Sequence, residues 1–198
     1  MNLHRSDRQP PERPSIELLE QEVQRVRYRR RYRSVLKSTL YALITVAAVA
    51  VLVATLLMPV LQIFGSSMTP TLEDGEIVLS LKTSDFQHGD VVAFYYNNKI
   101  LVKRVIAVSG EWVDITPEGD VSVNGKLLDE PYLDEKSLGD CNIELPYQVP
   151  ESRIFVMGDH RSVSVDSRNT AVGCVAEEQI VGKLMFRIWP LDTMERID

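Results

Sequence analysis

A mostly β domain carried behind an N-terminal transmembrane helix is the fold class this sequence predicts. Three observations predict it. Leu40 to Leu61 contains no charged residue. Beyond residue 64, apolar residues fall in short runs broken by Gly, Asn and Pro. In that same part no helical repeat longer than about two turns is found.

The elements follow in chain order. Residues 1–14, with Pro10, Pro11 and Pro14, read as disordered. Residues 15–37 are rich in helix formers, with Ile16, Leu18, Leu19, Val23 and Val26 as a weak apolar stripe. Arg25, Arg27, Arg29, Arg30, Arg31, Arg33 and Lys37 make this stretch strongly basic. The preferred reading of 1–37 is a cytoplasmic basic arm that sets topology; a juxtamembrane helix on anionic lipid is the alternative.

Residues 38–61 are expected to span the membrane. The uncharged run LYALITVAAVAVLVATLLMPVL has 22 residues, which as a helix reach roughly 33 Å, against a hydrocarbon core of about 30 Å. A core helix or a cleaved signal peptide would be shorter, and a signal peptide would not follow so long an arm. The basic flank places the N-terminus in the cytoplasm and residues 62–198 outside.

Short strands are expected at Ile77–Leu81, Asp90–Tyr96, Ile100–Val108, Val113–Ile115, Val121–Val123, Arg153–Met157 and near Ile180–Trp189. Asn97-Asn98-Lys99 turns one strand into the next, and Asn124-Gly125 is a tight-hairpin signal. Residues 111–153, with Pro117, Gly119, Gly139, Pro146 and Pro150 and the acids Asp129, Glu130, Asp134 and Glu135, read as an inserted hairpin subdomain. A folded sheet or barrel is favoured over an α/β arrangement.

Charge excludes one class of partner. Residues 1–37 hold ten basic and five acidic residues, and the remainder 12 and 23. An acidic main domain lacks the footprint that nucleic acid requires. Cys141 and Cys174 form no C-x-x-C pair, so no zinc site is expected. An extracytoplasmic placement would permit a disulfide between them; two separate thiols is the simpler expectation.

The stretch Gly65-Ser66-Ser67-Met68-Thr69-Pro70-Thr71-Leu72 is an unusual way to leave a membrane, and it reads as the seat of a hydroxyl nucleophile. Such a group needs a base. His4 lies on the arm, His88 in a turn and His160 in a polar loop, and there is no Gly-x-Ser-x-Gly elbow. Lys103 is the other base available, if burial keeps it neutral. By pattern alone, a lysine within Leu101-Val102-Lys103-Arg104-Val105-Ile106 more often faces outward.

These segments, with Gly89-Asp90-Val91-Val92, Lys103–Glu111 and Gly158-Asp159-His160-Arg161-Ser162-Val163-Ser164-Val165-Asp166-Ser167-Arg168, stand in the order found in bacterial type I signal peptidases. The chain resembles that family over roughly residues 40–190, in its Gram-positive-like form. The resemblance implies a membrane-bound serine endopeptidase acting by a Ser-Lys dyad, with Ser67 as nucleophile and Lys103 as general base. It implies that Ser164 orients the lysine and that Arg104, Asp159, Asp166 and Arg168 support the site. Met68 and Pro70 would contact substrate or lipid, and Ser66 has at most a supporting place.

The implied partners are preproteins with Ala-x-Ala-like cleavage sites, the lipid bilayer and the secretion translocon, with no nucleic acid, metal or cofactor. Gly65 stands where some members carry an oxyanion-binding serine, His160 where Asn is usual, Val163 where a polar residue is common, and Ser109 where Pro is usual. Rival readings are a non-catalytic relative that assists pilus or surface-protein assembly, which would not need both Ser67 and Lys103, and a self-cleaving repressor, which would carry a DNA-binding domain.

Overall fold

The structure is a computed structural model that describes residues 15–197. The disorder expected for 1–14, and His4, lie outside the described residues. The chain divides into a helical unit ending at Leu52 and a β-rich unit from Val53 onward.

Helix α1 runs Ile16–Leu57 without interruption, so the basic arm and the apolar run are one helix of 42 residues. None of its side chains is buried. It stops four residues short of Leu61. Pro59 is the reason, because proline disfavours helix at the residue before it and removes a backbone donor. The freed chain turns extended and forms β1, Val60–Gln62.

The β-rich unit holds β2 (Ile77–Leu81), β3 (Val91–Tyr96), β4 (Lys99–Ala107), β5 (Trp112–Ile115), β6 (Val121–Val123), β7 (Lys126–Leu127), β8 (Tyr147–Gln148), β9 (Arg153–Met157), β10 (Val175–Ala176), β11 (Ile180–Trp189) and β12 (Glu195–Arg196). The main sheet has the order β1-β2-β11-β3-β4-β9-β10, with β12 on β11, and every pair in it is antiparallel. A second sheet, β7-β6-β5-β8, is built from the chain between β4 and β9.

Two hairpins follow directly from local chemistry. Asn97 and Asn98 join β3 to β4, and Asn124 and Gly125 join β6 to β7; all four residues have positive φ. Two consecutive left-handed residues match the right-handed twist of the strands they connect, and Asn and Gly tolerate that conformation best. The β3–β4 turn sets the register that pairs Val92 with Lys103.

Three apolar clusters hold the unit together. Ile106, Phe155 and Met157 of the main sheet pack against Val113, Ile115, Val121 and Val123 of the second. Val92, Phe94, Val105, Ile154 and Val156 form another cluster. The third joins Ile63, Met68 and Leu72, from the segment after β1, to Val78, Val91, Ala93 and Leu184. This last cluster fixes the turn that carries Ser67. Met68 is only 2% exposed, and burying such a side chain contributes about 1.5–3 kcal/mol.

Candidate active site

Ser67 sits on a turn held at both ends. Before it, the Gly65 N–H donates to Asp74 Oδ1 at 2.6 Å, and Ile63 N–H donates to Glu76 O. Gly65 has φ of +86°, a conformation that favours glycine. After Ser67, a five-residue turn closes when Leu72 N–H donates to Met68 O, and the buried Met68 and Leu72 anchor it.

Lys103 comes from the middle of β4 and is 3% exposed. Its Nζ lies 2.6 Å from Ser67 Oγ and donates to it. With the amine neutral, the same contact runs the other way, the hydroxyl donating to nitrogen. Burial pushes the Lys103 pKa down from 10.5 to about 8, against the opposing pull of Asp166 and Asp159 and with a smaller help from Arg168. A lysine with an open β4 face would keep its ordinary value; here both faces of the strand are covered.

Behind the pair lie three Arg–carboxylate pairs, each side chain at most 1% exposed. Arg104 grips Asp159 through both Nε and an NH2 group, at 3.0 and 2.8 Å, and Thr71 Oγ1 donates to the same carboxylate. Arg168 grips Asp166 in the same forked way, at 2.8 Å twice. Burial alone would raise the Asp166 pKa, but the Arg168 pairing and the Gly158 N–H hold it below the usual carboxylate value. Arg161 donates to Gly158 O and pairs with Glu130 at 2.5 Å. Forked pairing fixes orientation as well as charge.

Gly158 is where these loops meet Ser67. A Cβ there would lie 2.2 Å from Ser164 Oγ and 2.5 Å from the Ser67 carbonyl oxygen. Lack of a side chain therefore permits the approach. The next loop is also tied to the Ser67 turn: His160 N–H donates to Ser67 O at 3.1 Å, and His160 Nδ1 lies 2.9 Å from Thr69 Oγ1. The His160 ring is thus engaged with Thr69 and the Ser66 carbonyl. His88 contacts Glu111. Neither imidazole hydrogen-bonds the Ser67 hydroxyl.

The structure brings Ser67 and Lys103 together, and Arg104, Asp159, Asp166 and Arg168 behind them. Ser164 is next to them but its buried Oγ makes no hydrogen bond of normal geometry, so the expected bond to Lys103 is not formed; its proximity to Asp166 still favours that carboxylate's charged form. Met68 is packed in the core and forms part of the floor of the adjoining cleft. Pro70 is exposed and lines no part of that cleft. Cys141 and Cys174 are separate thiols. Glu130, Arg161 and Tyr132 are the residues that sequence reading missed. An acid within a Pro-rich acidic loop carries no mark that separates it from a solvated one.

The cleft beside Ser67 has a volume of about 690 Å³. One wall is the Val60–Gly65 stretch and the other is Asn98–Lys103, with Ser67 and Lys103 between. β1 pairs only with β2, and the first half of β4 pairs only with β3, so both walls present strand edges. Val60, Leu61, Ile63, Phe64, Ile100 and Val102 make it largely apolar. A slightly larger cleft of about 740 Å³ shares none of these lining residues, Ser67 and Lys103 included. No group of three His, Cys, Asp or Glu side chains able to hold a metal occurs among the described residues.

Comparison with known proteins places these features in context. Residues 36–189 match the family described as signal peptidase, peptidase S26. The chain is 42% identical over 146 residues to signal peptidase IB of Staphylococcus aureus, covering 64% of this chain and 75% of that protein. It is 34% identical over 170 residues to signal peptidase I of Bacillus licheniformis, covering 79% of this chain and 90% of that one. A crystal structure of a signal peptidase I from Enterococcus faecalis is 28% identical, with a TM-score of 0.42, and covers 50% of this chain and 97% of that one.

Proposed function

This chain belongs to the peptidase S26 family of signal peptidases, and we propose that it removes signal peptides from exported preproteins through a dyad of Ser67 and Lys103. The observation that carries the dyad is the 2.6 Å contact between Lys103 Nζ and Ser67 Oγ in a buried site where the lysine pKa falls to about 8. A lysine so placed is neutral in about a tenth of molecules at pH 7 and about half at pH 8, and in that form it can accept a proton.

The reaction is acyl transfer. Neutral Lys103 takes the Ser67 proton as Oγ attacks the scissile carbonyl carbon. The Oγ–C bond forms and negative charge gathers on the carbonyl oxygen. The Ser67 N–H, which no acceptor among the described residues engages, is available as a donor for that charge. Lys103 then gives its proton to the leaving amine as the C–N bond breaks. Water, deprotonated by the Lys103 amine, attacks the ester carbonyl; the C–Oγ bond breaks and Lys103 returns the proton to Ser67 Oγ.

The two strand edges of the cleft suit an extended peptide, which adds main-chain hydrogen bonds to one or both walls. Apolar walls suit small residues of the Ala-x-Ala kind before the cut. The uncharged part of α1 suits a membrane anchor, and its basic flank supports a cytoplasmic N-terminus with residues 62–198 outside. The bilayer and the secretion translocon are then its surroundings.

The test is cleavage of a model preprotein with the cut site mapped. Ser67→Ala and Lys103→Ala each abolish cleavage while the protein stays folded and inserted. Wild-type activity rises with pH through about 8, as Lys103 loses its proton. Normal processing by either variant, or an acid optimum with loss near neutrality, would sink the dyad.

A further inference from the structure

One buried polar cluster has no part in the steps above. The Tyr132 ring lies over the Arg104 guanidinium, 3.9 Å from carbon to ring centroid. Arg104 is 1% exposed and Tyr132 is half-buried, so the ring is the cover between that cation and solvent. Tyr132 is itself held: its hydroxyl donates to Glu130 Oε1 at 2.9 Å, and Glu130 is locked on Arg161. Burial first, then the charge of Glu130, raises the Tyr132 pKa strongly, against Arg161 and Arg104, so the phenol remains a neutral donor. Tyr132 and Glu130 belong to the loop after β7, outside the sheet that bears Lys103.

Beneath the ring, Arg104 holds Asp159 with its fork and reaches Gly89 O and Thr71 Oγ1 as well. Asp159 is also one of the charges that Lys103 feels. The others are Asp166, which with Asp159 favours the ammonium, and Arg168, which opposes it; Ser67 is the amine's direct partner.

We infer that Tyr132 is a positioning residue for the proposed reaction: its ring, pinned by Glu130, keeps Arg104 dry and locked on Asp159, and so masks the negative charge that faces Lys103. The inference rests on the Ser67–Lys103 reading. A cation stacked on an aromatic face and shielded from water is held more firmly than one that water can reach. Loss of the ring lets water in and lets Arg104 drift from Asp159. Hydration of the site and an unmasked carboxylate both favour the protonated amine. Both effects therefore move the rise of activity to higher pH.

The experiment measures kcat and KM for a mapped model preprotein between about pH 6 and pH 10, using full-length enzyme in detergent. Tyr132→Ala moves the pH limb of kcat upward by roughly one unit, a loss of about fivefold to tenfold in kcat near pH 8 and below, with KM little changed. Tyr132→Phe keeps an aromatic face over Arg104 but loses the tether to Glu130, so its limb moves in the same direction by clearly less than that of the alanine variant. Tyr132→Leu fills the space without an aromatic face and moves the limb in the same direction as Ala; it serves if the alanine variant does not fold. An unmoved limb in the folded Ala or Leu variant, with activity lost only in step with folded protein, overturns the inference and leaves Tyr132 a plain cover. Absence of cleavage by wild type, or cleavage by Ser67→Ala, would instead overturn the dyad.

Discussion

Lys103 shows how one side chain couples the stability of the domain to its chemistry. In the folded chain its pKa is about 8, against 10.5 in open chain. Between those values the unfolded chain keeps the proton and the folded chain has released it, so stability rises with pH across that window. Below it the folded state carries the full cost of an ammonium in a dry site, on the order of 3 kcal/mol. Lys103→Met keeps the alkyl stem and removes the charge. We expect it to be inactive, more stable at pH 7 by about 1–3 kcal/mol, and no longer stabilised between pH 8 and pH 10.5; urea denaturation at the two ends of that range checks this. The run Leu101–Ile106 could not reveal the burial, since an apolar strand with one lysine is also the pattern of a half-exposed strand. The motifs around Ser67 and Asp166 singled out Lys103. Nothing in the sequence marked Tyr132, which meets Arg104 from 28 residues away.

At the scale of elements, local signals and non-local pairing separate cleanly. Asn97-Asn98 and Asn124-Gly125 announce their hairpins because the turn conformation is decided by the residues in it. Pro59 ends α1 for an equally local reason, although the apolar run continues to Leu61. The place of β11 between β2 and β3 could not be read, because it depends on chain segments about a hundred residues apart. The loop after β7 belongs to this second kind. Its Glu130 ties the chain of the second sheet to the Gly158–Arg168 loop through Arg161. Removing one partner of a fully buried pair leaves the other charge uncompensated. Glu130→Ala should destabilise the β-rich unit by about 3–5 kcal/mol, read as a lower urea midpoint, and Glu130→Gln by less. An unchanged midpoint for the alanine variant would show that Arg161 finds another partner.

At the scale of the whole molecule, charge and apolar length carry the proposed topology. The basic arm, the uncharged run and the acidic remainder are legible in composition alone. The two thiols offer a direct test of the proposed topology. Cys141 is partly exposed, whereas Cys174 is buried and its thiol pKa is pushed up to about 11 by that burial. A membrane-impermeant thiol reagent should therefore label Cys141, and spare Cys174, on intact cells stripped of wall. Labelling that requires lysis would place the domain on the other side. The Val60–Gln62 strand adds a further consequence. It follows directly on the chain's own apolar helix, the place where a signal peptide is cut. Yet it is hydrogen-bonded to Ile77–Leu79 as a wall of the cleft. To reach Ser67 as a substrate it would have to peel away from β2 and dismantle the site it was entering. The pairing with β2 thus holds this stretch of the enzyme's own chain in the wall of the cleft and away from the position of a substrate.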